Sequence, residues 1–415
     1  MTHGLQVLLL LALVVAAAKA AGAAANRIGQ PAVFGEILVG LILGPTLLDL
    51  LSWPVFAGNA ALTPLVADLA AIGVLLLMFV AGLETDLHEM RRVGPVAFWS
   101  ALGGVVLPFF GGILTGAAFG LPVFWEGVFI GTILTATSVS ISAQTLIELG
   151  ALRTREGSTI LGAAVIDDVM GIMVLSVVVG AAAAGAGGFD PDELAWLVVR
   201  MTAFFAAAIA AGRLFTPLFR WAAGLPISQG LLAAVLVVMF VYSWAAEYIG
   251  AVAAITGSYL AGVLVAQTPF RKEVDAGIHP LTYSMFVPIF FISIGLAANG
   301  RALGDRWLFS VVLIVVAIVT KALGCGLLAR LTGFSTEESI RVGAGMISRG
   351  EVGLIVAGYG LTHAIIGRDV FSAAVVMVLV TTMVTPPLLR LTFPARRAPR
   401  AIVEETIAGP PEEAN

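Results

Sequence analysis

Two adjacent carboxylates, Asp167 and Asp168, interrupt an apolar run that extends from Thr159 to Val179. A run of this length crosses a bilayer as one helix, at about 20 residues per span. A carboxylate near the bilayer centre costs at least ~2.5 kcal/mol, so ionisable residues there mark pathways for protons or cations. Neighbouring residues of an α-helix point about 100° apart, which argues against one partner serving both acids. One aspartate can then be tied up structurally while the other looks into a cavity. Like charges this close repel, which favours a proton staying on one of the two.

Lys321 is the second residue of chemical interest. The chain holds 19 arginines but three lysines, Lys19, Lys272 and Lys321, and the last lies in the apolar run Val315–Cys325. Arginine does not lose its proton inside a protein, whereas a buried lysine can. A lysine that snorkels to the interface is the alternative, and the distance of Lys321 from both ends of its run weighs against it. A buried Lys321 paired with one aspartate, leaving the other for an ion, is the simplest arrangement.

Two further segments combine small, hydroxyl and charged residues where a spanning helix would be apolar. One is Thr135-Ala-Thr137-Ser138-Val-Ser140; the other, Gly343 to Gly353, carries Arg349 and Glu351 at mid-span. Hydroxyls can take up freed backbone groups, so both segments are candidates for helix breaks. For the first, a continuous helix packed closely through small residues fits equally well. For the second, the buried charges argue for a functional break. Of the remaining polar residues, Glu36 is expected near the interface and Glu84 and Asp86 in a solvated loop before Arg91. His88, His279 and His363 fall in loops or at helix ends, and no cluster has the ligand spacing of a transition-metal site.

The elements that carry these residues follow from composition. Hydrophobic residues make up 59% of the 415, charged residues 12%, and mean hydropathy is +1.03. A soluble domain carries about a quarter charged residues. Hydropathy marks about thirteen spans, at 4–24, 31–50, 62–83, 93–119, 124–146, 158–183, 194–216, 226–246, 249–267, 282–297, 307–329, 339–361 and 370–393. The first lacks the basic flank of a secretory signal and reads as a span. Arginines and lysines concentrate in alternate loops, which places the N-terminus outside and the C-terminus inside. Arg200, near the outer end of the seventh span, runs against that pattern. The lone Cys325 excludes an intrachain disulfide. No GxxxxGK[ST] loop is present, which argues against ATP as the energy source. Residues 394–415 read as a short disordered cytoplasmic tail.

Weak internal similarity links the two halves. Gly35-x-x-Leu-x-Gly40 in the second span matches Gly257-x-x-Leu-x-Gly262 in the ninth. Gly82-Leu83 closing the third span matches Gly295-Leu296 closing the tenth. Both matches join spans seven apart, an odd displacement that makes the halves inverted, as in many secondary transporters. The fifth span then corresponds to the twelfth.

The motifs Gln30-Pro31 through Gly44-Pro45, Ala136-Thr137-Ser138-Val139, Gly162 through Gly171 with its paired aspartates, Lys321-Ala-Leu-Gly324 and Arg349-Gly350-Glu351-Val-Gly353 together resemble the monovalent cation:proton antiporter-2 family. The aspartate pair plus lysine resembles its NapA-like sodium/proton antiporter branch. The resemblance covers the whole membrane region. It implies an all-α polytopic membrane protein of the NhaA-like antiporter fold, in two inverted repeats with discontinuous fifth and twelfth helices that cross near the ion site. It implies a transmembrane antiporter domain over 1–393: a dimerisation part at 1–90 and 226–300, a core part at 91–185 and 305–393, and a linker helix at 194–216. It further implies that Asp168 binds the cation, that Asp167 pairs with Lys321, that Thr137 and Ser138 lie beside the site, and that Arg349 and Glu351 answer the half-helix dipoles. Ser348 departs from the family, which often has proline there.

The expected activity is exchange of Na+ or Li+ for H+ by alternating access, electrogenic, with no enzymatic step and no cofactor; Na+ and H+ are cargo. Expected partners are the lipid bilayer of a prokaryotic inner (plasma) membrane and a second copy of the chain, with no nucleic acid and no ATP. A K+/H+ antiporter of the same superfamily is the first rival, a sodium-coupled organic-anion symporter the second, and a non-transporting membrane sensor the third.

Overall fold

The structure, a computed structural model, describes residues 1–28, 30–85, 87–184, 191–297, 307–362 and 365–393. Asp86, Arg301, Arg306, His363 and the tail 394–415 lie outside the described residues, as do the side chains of His88, Arg91 and Glu351. Seventeen α-helices follow one another, with no strand among the described residues: α1 (His3–Arg27), α2 (Ala32–Leu43), α3 (Leu62–Glu84), α4 (Leu87–Ala118), α5 (Val128–Thr135), α6 (Val139–Glu148), α7 (Arg155–Ala184), α8 (Pro191–Ala211), α9 (Phe215–Ala223), α10 (Gly230–Tyr248), α11 (Ala254–Val265), α12 (Arg271–Leu281), α13 (Val287–Ala297), α14 (Trp307–Leu331), α15 (Thr336–Gly345), α16 (Glu351–Thr362) and α17 (Arg368–Thr392). Ten stretches of the described helices are long and apolar enough to cross a membrane, and three shorter apolar helices stand beside them. Large apolar side chains point outward, among them Leu114 at 68% exposure and Trp196 at 64%. Acyl chains, not water, match such a surface.

Several helix limits differ from the hydropathy spans, each for a backbone reason. The second span was expected over 31–50, but α2 stops at Leu43 and the chain turns through residues 44–49. Gly44-Pro45 explains the stop, since a proline ring clashes with the carbonyl four residues earlier and offers no N–H. The ninth span, expected from 249, begins as α11 only at Ala254, after a turn that holds Ala251 at a φ of 53°. The tenth, expected from 282, is continuous with the polar helix α12 through a wide turn over Thr282–Phe286.

Glycines set the closest helix contacts. A Cβ placed on Gly40 would lie 2.4 Å from the Ile292 carbonyl oxygen, and one on Gly295 would lie 2.2 Å from the Gly40 backbone. A Cβ on Gly82 or Gly262 would lie 2.3 or 2.1 Å from the carbonyl oxygen of Tyr259 or Phe79. Thus α2 packs on α13, and α3 on α11, backbone against backbone, through the four glycines that the two halves share. Gly103 and Gly324 do the same for α4 and α14.

Polar side chains finish the helix ends. Arg200 donates to the carbonyls of Tyr248 and Ile249 at 2.7 and 2.8 Å, so the arginine that opposes the charge pattern satisfies the orphan carbonyls ending α10. Ser335 and Glu338 form a reciprocal capping box at the start of α15. The Ser335 N–H beside its carboxylate holds Glu338 below the ordinary carboxylate range. Arg341 pairs with Glu156 at 2.6 Å and ties α15 to α7.

Candidate functional site

The fifth span is interrupted: α5 ends at Thr135, α6 begins at Val139, and Ala136 and Ser138 between them are non-helical. The twelfth is interrupted at 346–350, between α15 and α16. The two gaps meet. Ser138 N–H donates to the Ser348 carbonyl at 2.8 Å, and the Ser348 hydroxyl donates to the Ser138 carbonyl at 2.7 Å. Ser142 donates to the Gly345 carbonyl and lies 3.2 Å from the Ser348 hydroxyl. A Cβ on Gly350 would fall 2.6 Å from the Ser138 hydroxyl oxygen, so glycine is what lets the two interrupted segments cross this closely. Freed backbone groups are thus satisfied by the other break and by serine hydroxyls, as buried polar groups require.

Beside the crossing, Lys321 is fully buried. Its Nζ donates to Asp167 Oδ1, to the Gly104 carbonyl and to the Thr135 carbonyl, each at 2.8 Å. An ammonium has three N–H donors, and all three are used. The Thr135 carbonyl belongs to the last residue of α5, where the helix offers it no partner. The Gly104 carbonyl comes within reach because a Cβ there would lie 3.1 Å from Lys321 Cε. One ammonium therefore joins α4, the end of α5, α7 and α14. Asp167 is 1% exposed, and its Oδ2 has no hydrogen-bond partner among the described residues.

Asp168 turns elsewhere, as the helical angle between neighbours predicts. It is 5% exposed and accepts from the Thr256 hydroxyl, in the first turn of α11, at 3.4 Å. Thr137 is also buried, with a hydroxyl unpartnered among the described residues. Arg349, 0% exposed, donates to the carbonyls of Ile347 (3.1 Å), Met346 (3.4 Å) and Ala317 (3.3 Å). It therefore neutralises orphan carbonyls where α15 stops. Glu351 opens α16, and Thr382 donates to the Arg349 carbonyl. Among the described residues, no three His, Cys, Asp or Glu side chains gather to hold a metal ion.

Four contributors escaped the sequence reading. Gly104 acts through its carbonyl, which has no side-chain signature. Thr256 is one hydroxyl in an apolar helix. Ser142 is the third member of the Ser138-x-Ser140-x-Ser142 alternation, which is its one sequence signal, and the sequence marks Ser348 only by the absence of proline. Glu36, in the second turn of α2, is 6% exposed and 3.9 Å from Lys19 in a polar cavity. One expectation needs correction. Glu84 is not in a loop; it ends α3, half-buried, and its carbonyl accepts from Arg153 at 3.0 Å.

A buried acid–lysine pair with a second acid beside it, where two interrupted helices cross in a membrane bundle, defines the class of ion-coupled secondary transporters. The chain belongs to the sodium/hydrogen exchanger family, whose transmembrane profile matches residues 9–393. It is 41% identical to the Na+/H+-K+ antiporter GerN of Bacillus cereus over 387 residues, which span 93% of this chain and 96% of GerN. It is 34% identical to the high-affinity Na+/H+ antiporter NhaS3 of Synechocystis sp., over 93% of this chain and 90% of that one. The structure of the sodium proton antiporter MjNhaP1 from Methanocaldococcus jannaschii superposes with a TM-score of 0.69 at 13% identity, covering 94% of this chain and 97% of that one. At that identity the match establishes the fold alone: a multi-pass, all-helical antiporter fold.

Proposed function

We propose that the protein is a secondary active antiporter that exchanges Na+ or Li+ for H+ across the membrane by alternating access. The observation that carries this reading is the division of labour within the aspartate pair. Asp167 is held by Lys321 at 2.8 Å, while the adjacent Asp168 faces another helix beside the crossing. Protons and the cation compete for Asp168, and Thr137 and Ser138 supply neighbouring oxygens. If the Lys321 proton also leaves on cation binding, two protons exchange per Na+ and one net charge moves per cycle. Each 100 mV of membrane potential then contributes about 2.3 kcal/mol.

The moving core consists of residues 91–185 and 305–393, the static dimerisation part of 1–90 and 226–300, and 194–216 links them in a homodimer. The paired glycine contacts α2–α13 and α3–α11 support this division and the inverted repeat, because each joins one half to the other within the static part. Cavities of about 340 Å³, reaching Gly350 from the α3–α13 side, and about 430 Å³, beside Glu36 and Glu148, lie along the boundary between the parts. Hydropathy supports about thirteen spans, and the charge pattern supports an N-terminus outside and a C-terminus in the cytoplasm.

GerN is named as an Na+/H+-K+ antiporter, which keeps K+ as a second cargo. Proton flux in proteoliposomes under imposed Na+, Li+ and K+ gradients decides among these. Flux driven by Na+ and Li+ is expected, and flux driven by K+ alone would replace the sodium reading.

A further inference from the structure

We infer that Glu148 is a positioning residue of the transport cycle, a latch that pins the inner end of the moving core to α2 of the static part. The inference rests on the core and static division proposed above. The first turn of α2 needs hydrogen-bond acceptors for its N–H groups, yet its own sequence provides none. The residue at its N-cap is Pro31, with no side-chain cap. Ser, Thr, Asp or Asn would ordinarily stand there. The acceptors come from 115 residues further along the chain: Glu148 Oε2 accepts from Ala32 N–H at 2.6 Å, and Oε1 from Val33 N–H at 3.3 Å. Gln144, one turn earlier, donates to the same carboxylate at 2.8 Å and fixes its orientation. The carboxylate also meets the positive end of the α2 dipole.

The two sides of this contact belong to different parts of the molecule. Glu148 ends α6, whose other end carries the Ser138–Ser348 crossing, so it moves with the ion site. α2 is fixed on α13 through Gly40 and Gly295. Relative movement of core and static part breaks the cap. The 430 Å³ cavity beside it, lined by Lys19, Gln30 and Arg390, offers polar partners to the released carboxylate. While the cap is made, the inner ends of the two parts are held together and the conformer open to the cytoplasm is disfavoured.

Three variants test this. Glu148→Ala removes both acceptors, and Glu148→Gln keeps one. Ala32→Pro removes one donor without touching the carboxylate, at the first helical position where proline suits a helix. A purely structural cap would quicken amide exchange on its loss and leave the apparent KM for Na+ unchanged. Loss of a cap of ordinary strength shifts the conformer ratio about fivefold. The apparent KM for Na+ at the cytoplasmic face, measured in everted vesicles, should therefore fall by up to about fivefold in Glu148→Ala and Ala32→Pro, with Glu148→Gln between them and wild type. Amide exchange over residues 33–36, read by mass spectrometry in detergent, should quicken in the same order. Unchanged exchange in Glu148→Ala and Ala32→Pro, or quicker exchange with an unchanged KM, would overturn the latch. Absence of sodium-driven flux in the wild type would instead defeat the antiport reading, and the exchange measurement would still decide whether the cap exists.

Discussion

Replacing Lys321 with alanine removes three hydrogen bonds from a site with no exposed surface. The Asp167 carboxylate loses its hydrogen-bond donor at 2.8 Å, and the Gly104 and Thr135 carbonyls lose the donor they share with it. Breaking a buried ion pair from one side costs ~3–5 kcal/mol, chiefly because a charge is stranded. Asp167→Ala strands the ammonium instead, although two carbonyls still hold it. Removing both strands neither member of the pair, so the double variant should cost less than the sum of the singles by at least ~2 kcal/mol. The assay is a double-mutant cycle on unfolding in detergent micelles, followed by tryptophan fluorescence. Additivity within ~0.5 kcal/mol would refute the reasoning, since it is the behaviour of residues that do not interact.

Other perturbations probe the crossing and the capping. Gly350→Ala drives a Cβ against the Ser138 hydroxyl at 2.6 Å and should destabilise by ~1–3 kcal/mol, with Ser138→Gly in the same chain restoring much of the loss in the same unfolding assay. Ser348→Ala leaves the buried Ser138 carbonyl without its hydroxyl donor and should cost ~1–3 kcal/mol, although the Ser348 carbonyl still accepts from Ser138. Ser335→Ala opens the α15 capping box and should cost ~1 kcal/mol. Because Glu338 is held below the ordinary carboxylate range, its contribution is present above that range and disappears as pH falls through its lowered folded value. A thermal-stability profile that loses this acid limb in Glu338→Gln checks the sign.

The legible part of the site was the part that is expensive in a membrane. Asp167, Asp168, Lys321 and Arg349 announce themselves because intramembrane charge must be compensated, and the helical angle between neighbours separates the two aspartates before any fold is known. The interruptions at 136–138 and 346–350 fall within runs of hydroxyl and glycine residues noted for that reason. What composition cannot give is which helix stands opposite. Gly104, Thr256 and Ser348 enter through a carbonyl or a single hydroxyl whose partner lies more than 80 residues away. Glu148 lies just past a span, and its role becomes visible only once α2 is placed against it. The early stop of α2 was available in Gly44-Pro45, but hydropathy registers side chains and passes over a missing N–H.

Asp168 is where cation and proton are held to compete, and Asp168→Asn removes that carboxylate while keeping its shape and leaving the Lys321–Asp167 pair in place. Proton flux driven by a Na+ gradient in proteoliposomes tests this most directly. The account predicts flux at background level in Asp168→Asn, in protein whose unfolding matches wild type. Near-normal sodium-driven flux in that variant would contradict it.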